Sequence, residues 1–350
     1  MLISDFDYDL PEELIAQAPL ADRAASRMLV VDRAAGTWSD RLFTDLPDYL
    51  ERGDALVLNN TKVLSARLFG RRSGVYATTS KSDITGLVEI LLLKRVSEEP
   101  NRWEALARPG RKMRVGEGLQ FPGGLEATIV DRGERGLRVI EFAPVPDFNA
   151  VLSRVGHMPL PPYIKRSDEV ADQERYQTVF ASRAGAAAAP TAGLHFTPDV
   201  LERVVSQDAK PVEITLHVGR GTFQLVEVEE IERHEMHSEW YEISAETASA
   251  LNEAGRRIAV GTTAVRTLEH GIREAGGRFE AATGETSIFI YPGFEFRAVD
   301  ALLTNFHLPR STLIMLVAAL AGRELTLAAY EHAVRERYRF YSYGDCMLIV

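Results

Sequence analysis

The run of short strand patterns between residues 63 and 150 is the feature that most restricts the fold of this chain. The segments Leu87–Val96, Arg102–Arg108 and Leu125–Asp131 have the apolar spacing of strands, and a glycine-rich turn joins the third segment to a further strand at Leu137–Phe142. No helical pattern interrupts the series. Short strands at this spacing are typical of a small antiparallel barrel.

Strand and helix patterns alternate on both sides of this region, which indicates an α/β layer fold. A length of 350 residues corresponds to about two domains. The sequence therefore predicts the fold class α/β, with a discontinuous α/β main domain (1–62 and 151–350) and an inserted small antiparallel β-barrel domain (63–150). In the larger domain we predict strands at Met28–Val31, Ala55–Asn59, Val212–Val218, Ile258–Val260, Ser287–Tyr291, Ala301–Thr304 and Cys346–Val350, and helices at Ala245–Arg256, Thr262–Ala275, Ser311–Gly322 and Thr326–Arg339.

The charge balance limits the ways in which the chain can bind nucleic acid. Asp and Glu number 50 against 40 Lys and Arg, so the formal net charge is −10. An acidic chain offers no global attraction to RNA, so an RNA partner must be held by local basic patches such as Arg102–Arg114.

Several features predict a cytoplasmic protein. The segment Met1–Glu13 is acidic and has no apolar run, so we expect no secretory signal. The most apolar run, Leu313–Ala321, is far shorter than the roughly 20 residues of a membrane span. The single cysteine, Cys346, cannot form an internal disulfide, as expected in a reducing compartment, and we expect it to be a small buried apolar residue.

Three partial motifs fail to specify a cofactor or metal site. Gly219–Gln224 begins like a dinucleotide-binding loop but ends in Gln instead of Gly. The acidic series Asp5–Asp9 lacks the later residues of an EF-hand loop. His234–His237 places two imidazoles three residues apart, which leaves a metal site open but is weak without further ligands.

Five polar segments stand out because they follow strands or precede helices. In open α/β sheets, ligands bind beyond the carboxyl ends of strands, which predicts a shared site. Each residue also has a simpler interpretation, as a helix cap or a satisfied buried donor. The segments are Asn59–Lys62, Pro190–Phe196, His217–Phe223, Gly261–Arg266 and Thr304–Pro309.

The histidines of these segments favour an enzyme. Imidazole is the side chain whose proton affinity suits acid and base chemistry near neutral pH. His195, His217 and His307 lie on three different segments. The residues alone therefore predict an α/β enzyme with a polar site.

Taken together, nine motifs resemble the S-adenosylmethionine:tRNA ribosyltransferase-isomerase family of queuosine synthesis. They follow the order of that family from about Asp5 to the C-terminus. Ser65 and Ala264 depart from the usual residues of the family, which has Pro and Ser there. The motifs lie within 22–27, 58–62, 190–196, 216–223, 236–239, 260–266, 291–293, 303–309 and 341–345.

The resemblance implies an enzyme that consumes S-adenosyl-L-methionine as a ribosyl donor. The acceptor is the aminomethyl group of 7-aminomethyl-7-deazaguanine at the wobble position of tRNA, and the products are epoxyqueuosine-tRNA, adenine and methionine. The sulfonium acidifies the C5′ protons, so that a base can form an ylide, adenine leaves, the amine attacks and epoxide closure expels methionine. We expect no metal and no membrane association, and we expect the chain to act as a monomer.

The resemblance also implies roles for individual residues. The expected proton-transfer residues are His195, His217, His237 and His307, with Glu239 as a further base. The expected substrate-binding residues are Arg23, Ser26, Arg27, Asn59, Asn60, Thr61, Thr191, Gly193, Phe196, Gly219, Thr222, Phe223, Thr262, Thr263, Arg266, Thr304, Asn305 and Phe306.

Two other functions stay open at this point. One is an RNA methyltransferase that uses the same donor, although the glycine-rich fingerprint is missing. The other is a tRNA-binding module without catalysis, against which the histidines on strand-end segments argue.

Overall fold

The computed structural model describes residues 1–73, 86–133, 136–219, 226 and 228–350. Within these residues it contains a large mixed sheet covered by helices and a closed antiparallel barrel. The predicted fold class, an α/β main domain with an inserted small β-barrel, is confirmed. The domain boundaries themselves stay a prediction.

The strands and helices have the following bounds. The strands are β1 Arg27–Asp32, β2 Thr37–Leu42, β3 Ala55–Asn59, β4 Thr61–Val63, β5 Arg67–Arg72, β6 Leu87–Ser97, β7 Arg102–Arg108, β8 Gly118–Gln120, β9 Glu126–Asp131, β10 Leu137–Phe142, β11 Arg183–Ala186, β12 Lys210–Leu216, β13 Glu239–Ile243, β14 Arg257–Val260, β15 Ala282–Thr286, β16 Ala301–Asn305 and β17 Cys346–Ile349. The helices are α1 Phe148–Val155, α2 Asp172–Arg175, α3 Pro198–Ser206, α4 Ala245–Glu253, α5 Thr262–Glu274, α6 Thr312–Ala321 and α7 Arg323–Arg335.

The order of the strands explains where the polar segments meet. The large sheet has the order β15-β13-β12-β3-β14-β16-β17-β1-β2. Its neighbours β12, β3, β14 and β16 run parallel to one another. Their carboxyl ends therefore lie at one edge of the sheet, as the sequence predicts.

Both faces of this sheet are buried because helices pack on each of them. Along β1, Leu29 and Val31 belong to one apolar core, whereas Met28 and Val30 belong to the other. This alternation is the period of two that side chains follow in a strand. Helices α5 and α6 pack in the first core, and α3 packs in the second.

The barrel closes in the order β10-β7-β6-β5-β8-β9, with antiparallel neighbours throughout. Alternate residues of its strands, among them Ile90, Ala105 and Ile140, fill the interior. Helix α1 packs against the same interior through Phe148 and Leu152. The β9–β10 hairpin that the glycine-rich turn predicts is confirmed by the pairing of these strands.

The helix starts follow local capping chemistry. Ser244 caps α4 by accepting a hydrogen bond from the backbone N–H of Thr247, at 3.1 Å. Thr197 caps α3 in the same way, and Pro198 occupies the first position of that helix. A Ser or Thr side chain at these positions satisfies a backbone donor that the helix leaves free.

The predicted strand at Ser287–Tyr291 is wrong. The strand lies earlier, as β15, and the backbone of Ile288 bonds to side chains instead of to another strand. Its N–H donates to Thr286 Oγ1 at 3.3 Å, and its carbonyl accepts from Nε of Arg266 at 3.2 Å. The apolar pattern arises because Ile290 is buried in the core.

The last predicted helix begins and ends earlier than expected. Helix α7 stops at Arg335 because Arg337 takes a positive φ of 54°, outside the helical region. The N–H of Tyr338 then bonds back to the carbonyl of Ala333. Cys346 is fully buried, as predicted.

Over the described residues, no single helix has the length and apolar character of a membrane span. The bent pair α6 and α7, at 116°, meets these criteria only when both are counted together.

Candidate active site

Asn59, the last residue of β3, connects the carboxyl ends of the parallel strands β3 and β12 by hydrogen bonds. Its Oδ1 accepts hydrogen bonds from the N–H groups of Leu216 and Thr61, at 3.0 and 3.2 Å. Its Nδ2 donates to the carbonyl of Leu216 at 3.0 Å. Asn59 is buried, so its amide sets the spacing of β3 and β12 and thereby the position of His217.

His217 follows β12 directly, and three neighbours hold its imidazole. Its Nδ1 lies 2.8 Å from Oγ1 of Thr61. Its ring stacks on Trp240, with 4.9 Å between the centroids. On Gly185, a β-carbon would overlap the ring, so only glycine fits there. Burial lowers the pKa of His217 to about 4, and the Arg183 charge acts in the same direction.

Glu239, at the start of β13, forms a buried ion pair with Arg266 of α5. The other carboxylate oxygen accepts a hydrogen bond from the N–H of Gly219 at 3.0 Å. Arg266 also donates to the carbonyls of Ile288 and Thr286. A buried ion pair needs such additional bonds, because both charges lose their hydration.

A cleft of about 380 Å³ lies between the barrel and this edge of the sheet. Three predicted proton-transfer residues, His217, His237 and Glu239, line it together. The barrel contributes the opposite wall. The lining residues from the barrel side are Leu64, Leu93, Lys94, Arg95, Trp103, Glu104, Leu137 and Asn149, and those from the sheet side also include Ala184, Gly185, Gly219, Ser238 and Trp240.

His195 lies outside the residues that line this cleft, in a buried hydrogen-bond network. Its Nδ1 is 2.9 Å from Oγ of Ser26, and its Nε2 is 3.2 Å from Nδ2 of Asn305. The same Nδ2 donates to the carbonyls of Tyr341 and Asp345. Burial, with the charge of Arg339 acting in the same direction, lowers the pKa of His195 to about 4.

His307 is buried as well. Its Nε2 lies 2.8 Å from Oγ1 of Thr304, and its carbonyl accepts a hydrogen bond from the hydroxyl of Tyr8. Burial lowers the pKa of His307 to about 3. The four predicted histidines are thus divided between the cleft, with His217 and His237, and the buried interior, with His195 and His307.

The comparisons with known proteins agree with this architecture. The model of the family described as Queuosine biosynthesis protein matches residues 3–349.

The chain belongs to this family.

Two relatives that match the whole chain are named S-adenosylmethionine:tRNA ribosyltransferase-isomerase. The protein of that name from Solibacter usitatus is 56% identical over 357 residues, with 100% of each chain covered. The one from Symbiobacterium thermophilum is 52% identical over 355 residues, again with 100% of each chain covered. A crystal structure of the S-adenosylmethionine tRNA ribosyltransferase of Thermotoga maritima is 39% identical, covers 99% of this chain and 100% of its own, and superposes with a TM-score of 0.55.

In this member of the queuosine biosynthesis family, most predicted binding residues contact other protein groups. Arg23 donates to the carbonyls of Gln177, Glu174 and Leu194, and so holds the segment that carries His195. Arg27 lies over the ring of Tyr338, with 3.7 Å to the centroid. Their predicted contacts with substrate stay predictions.

The remaining predicted residues are placed as follows. Nδ2 of Asn60 donates to Glu213 at 2.9 Å, and Oγ1 of Thr263 lies 3.4 Å from Nδ2 of Asn59. Phe196 and Phe306 are fully buried, each in one of the two cores of the sheet. Thr191 and Gly193 belong to a short 3-10 helix, Thr262 begins α5, and Thr222 and Phe223 lie outside the described residues.

Sequence reasoning missed the aromatic and barrel residues of the cleft. Trp240 follows the predicted Glu239 directly, so its position beside a motif could have suggested it. Gly185 lies in a small-residue tract that reads as a linker. Lys94 and Trp103 belong to barrel strands, and only the docking of the barrel brings them to the cleft. Trp103 lies in the basic segment Arg102–Arg114, which the sequence does not connect with the polar motifs of the sheet.

Proposed function

We propose that this chain is an S-adenosylmethionine:tRNA ribosyltransferase-isomerase. It transfers and isomerises the ribosyl group of S-adenosylmethionine onto the aminomethyl group of 7-aminomethyl-7-deazaguanine in tRNA. Epoxyqueuosine-tRNA, adenine and methionine are the products. The observation that carries the proposal is the similarity, over the whole chain, to relatives named for this activity.

The reaction takes place in the cleft between the barrel and the sheet. It requires a base for the C5′ proton, a base for the attacking amine and a donor for the departing adenine. The cleft offers His217 and His237 for proton transfer and hydrogen bonding, next to the Glu239 carboxylate. The ring of Trp240 in the same cleft suits a purine base or a sulfonium cation.

Tryptophan fluorescence tests whether S-adenosylmethionine enters this cleft. The chain has three tryptophans, of which Trp103 and Trp240 line the cleft. Trp38 lies on β2, which is the outermost strand at the other end of the strand order from β13 and β15. We expect the ligand to change the emission of the Trp38→Phe variant as it changes that of the wild type. A response that survives in the Trp103→Phe/Trp240→Phe variant would place the ligand elsewhere.

A product assay tests the reaction itself. The protein is incubated with S-adenosylmethionine labelled in the ribose and with tRNA that carries 7-aminomethyl-7-deazaguanine. We expect free adenine and methionine, together with a ribosyl-sized mass gain on the tRNA. S-adenosylhomocysteine would indicate a methyltransferase instead, and tRNA binding without adenine release would indicate a binding module.

Matched histidine variants test whether the reaction takes place in the cleft. His217→Gln removes an imidazole of the cleft, and we expect it to lower kcat by roughly 100-fold. His332→Gln is the control, because His332 bonds to Asp40 and Arg335 and does not line the cleft. Equal activity of both variants would contradict the placement of the site.

We further propose that the enzyme is monomeric and cytoplasmic and that it needs no metal. We therefore expect EDTA to leave the rate of adenine release unchanged. We also expect sedimentation to give the mass of one chain, 38.8 kDa. Loss of activity in EDTA that added metal restores would contradict the first expectation.

A further inference from the structure

The imidazole of His217 has two distinct sides. Nδ1 points to Thr61, with 2.8 Å between Nδ1 and Oγ1. The rest of the ring lies against Trp240 and Gly185, and His217 lines the cleft together with these two residues. Which ring nitrogen carries the proton in the neutral form therefore decides what His217 offers to a substrate.

The hydroxyl of Thr61 determines which ring nitrogen of His217 carries the proton. Thr61 is fully buried, and its N–H is already bonded to Oδ1 of Asn59. Across the described ranges, the hydrogen-bonding partner of its Oγ1 is Nδ1 of His217. A buried hydroxyl that donates to nothing has lost its hydration without gaining a hydrogen bond, which destabilises the folded state. The hydroxyl therefore donates to Nδ1, which accepts only when it carries no proton.

We propose that Thr61 is a positioning residue that holds His217 in the tautomer protonated at Nε2. In this form His217 presents an N–H donor, and its partner in the cleft is an acceptor atom of a purine-type base, a ring nitrogen or a carbonyl oxygen. The tautomer is a property of the free protein, whereas the role toward a base rests on the proposed function.

The surroundings of His217 keep the ring neutral. Burial lowers its pKa to about 4, Arg183 acts in the same direction and Glu242 opposes it. Arg183 and Glu242 form an ion pair with each other, 2.5 Å apart, so their effects partly cancel. At neutral pH a neutral donor of this kind acts by hydrogen bonding to charge that develops on a leaving base.

His195 provides an internal reference with the opposite tautomer. Nδ2 of Asn305 lies within hydrogen-bonding distance of two carbonyls and of Nε2 of His195, so its two hydrogens are shared among three acceptors. Because an amide nitrogen only donates, Nε2 of His195 is an acceptor. The proton of His195 therefore lies on Nδ1 and points to Oγ of Ser26, which in turn donates to the carbonyl of Arg23. One protein thus contains both neutral tautomers.

Two-bond ¹H–¹⁵N correlation spectra of the full chain, labelled with ¹⁵N-histidine, distinguish the two forms at neutral pH. His217→Gln and His195→Gln assign the signals by their loss. We expect the pattern of a proton on Nε2 for His217 and of a proton on Nδ1 for His195. A proton on Nδ1 of His217 in the wild type overturns the inference, whatever the activity.

Variants of Thr61 test the positioning role. Thr61→Val keeps the shape but removes the hydroxyl, so we expect the His217 pattern to change and kcat to fall roughly tenfold or more. Thr61→Ser keeps the hydroxyl and retains both the pattern and most of the activity. Wild-type activity in Thr61→Val with an altered pattern overturns the role toward the base. If neither the wild type nor any variant turns over substrate while the spectra are as expected, the result counts against the proposed function. The inferred tautomer of His217 would then still hold.

Discussion

The side-chain amide of Asn305 donates a hydrogen bond to Nε2 of His195, at 3.2 Å, although 110 residues separate the two in the chain. The carbonyls of Tyr341 and Asp345 lie at 3.1 and 3.3 Å from the same amide nitrogen, so its two hydrogens are shared among three acceptors. Asn305 ends β16, so one side chain connects a strand end to two segments that are remote in sequence. This contact makes the interior around His195 sensitive to the loss of a single donor.

Asn305→Asp removes that donor while keeping the shape. A carboxylate cannot donate to the two carbonyls, and it is buried beside them, so we expect the free energy of unfolding to fall by about 3 kcal/mol or more. Asn101→Asp is the matched control, since Oδ1 of Asn101 only accepts, from Nε1 of Trp103 at 2.9 Å. Urea unfolding measures both, and equal losses would contradict the donor role of Asn305.

The buried His195 makes the stability of the protein depend on pH. Its folded pKa of about 4 lies below the ordinary value of 6.5, so the unfolded chain binds the proton first. The contribution of neutral His195 to the free energy of unfolding is therefore complete above about pH 6.5 and is lost as the pH falls toward 4. Between pH 7 and pH 5 we expect the wild type to lose about 2 kcal/mol more than His195→Gln in the free energy of unfolding. Parallel pH curves for the two proteins would show that His195 titrates normally.

Removal of Arg266 leaves the carboxylate of Glu239 buried without its partner. Arg266→Met should lower the free energy of unfolding by about 3–5 kcal/mol. Arg183→Ala breaks the more exposed pair with Glu242 and should cost less than about 1 kcal/mol. Adding Glu239→Gln to Arg266→Met should recover part of the loss, because a neutral amide has a smaller desolvation cost. Denaturant titrations of the four proteins check this order.

Gly185→Ala tests the fit around His217. The added methyl group overlaps the imidazole, so the ring must shift from its present position. We expect kcat for adenine release to fall roughly 100-fold, since small displacements of a catalytic group have effects of this size. Gly110→Ala is the control, because its added methyl group meets no atom within 4 Å. An unchanged kcat in Gly185→Ala would show that the position of His217 is not critical.

Much of the fold could be predicted from local patterns. The strands β3, β12, β14 and β16 are short apolar runs, each followed by polar residues, and this pattern needs no tertiary contact to be recognised. The caps Ser244 and Thr197 and the first-turn Pro198 are likewise local. The strand prediction at Ser287–Tyr291 is wrong because an apolar segment that packs in a core has the same composition as a strand.

The division of the histidines could not be predicted. His195 and His217 both belong to polar segments, yet His195 is buried in a hydrogen-bond network with Asn305 and Ser26, whereas His217 lines the cleft. The barrel wall of that cleft includes Trp103 and Glu104 of the basic segment Arg102–Arg114, but no sequence pattern indicated that this segment faces His217.

The sequence by itself determined the family, the two architectural units and the set of polar segments at one edge of the sheet. Only the tertiary structure decided which of these side chains face a cleft and which satisfy buried partners. The physical reason is that a hydrogen-bond partner such as Asn305 for His195, or Thr61 for His217, depends on which strand ends become neighbours. Local sequence patterns encode the strands, and the packing of the whole chain sets the order in which they lie side by side.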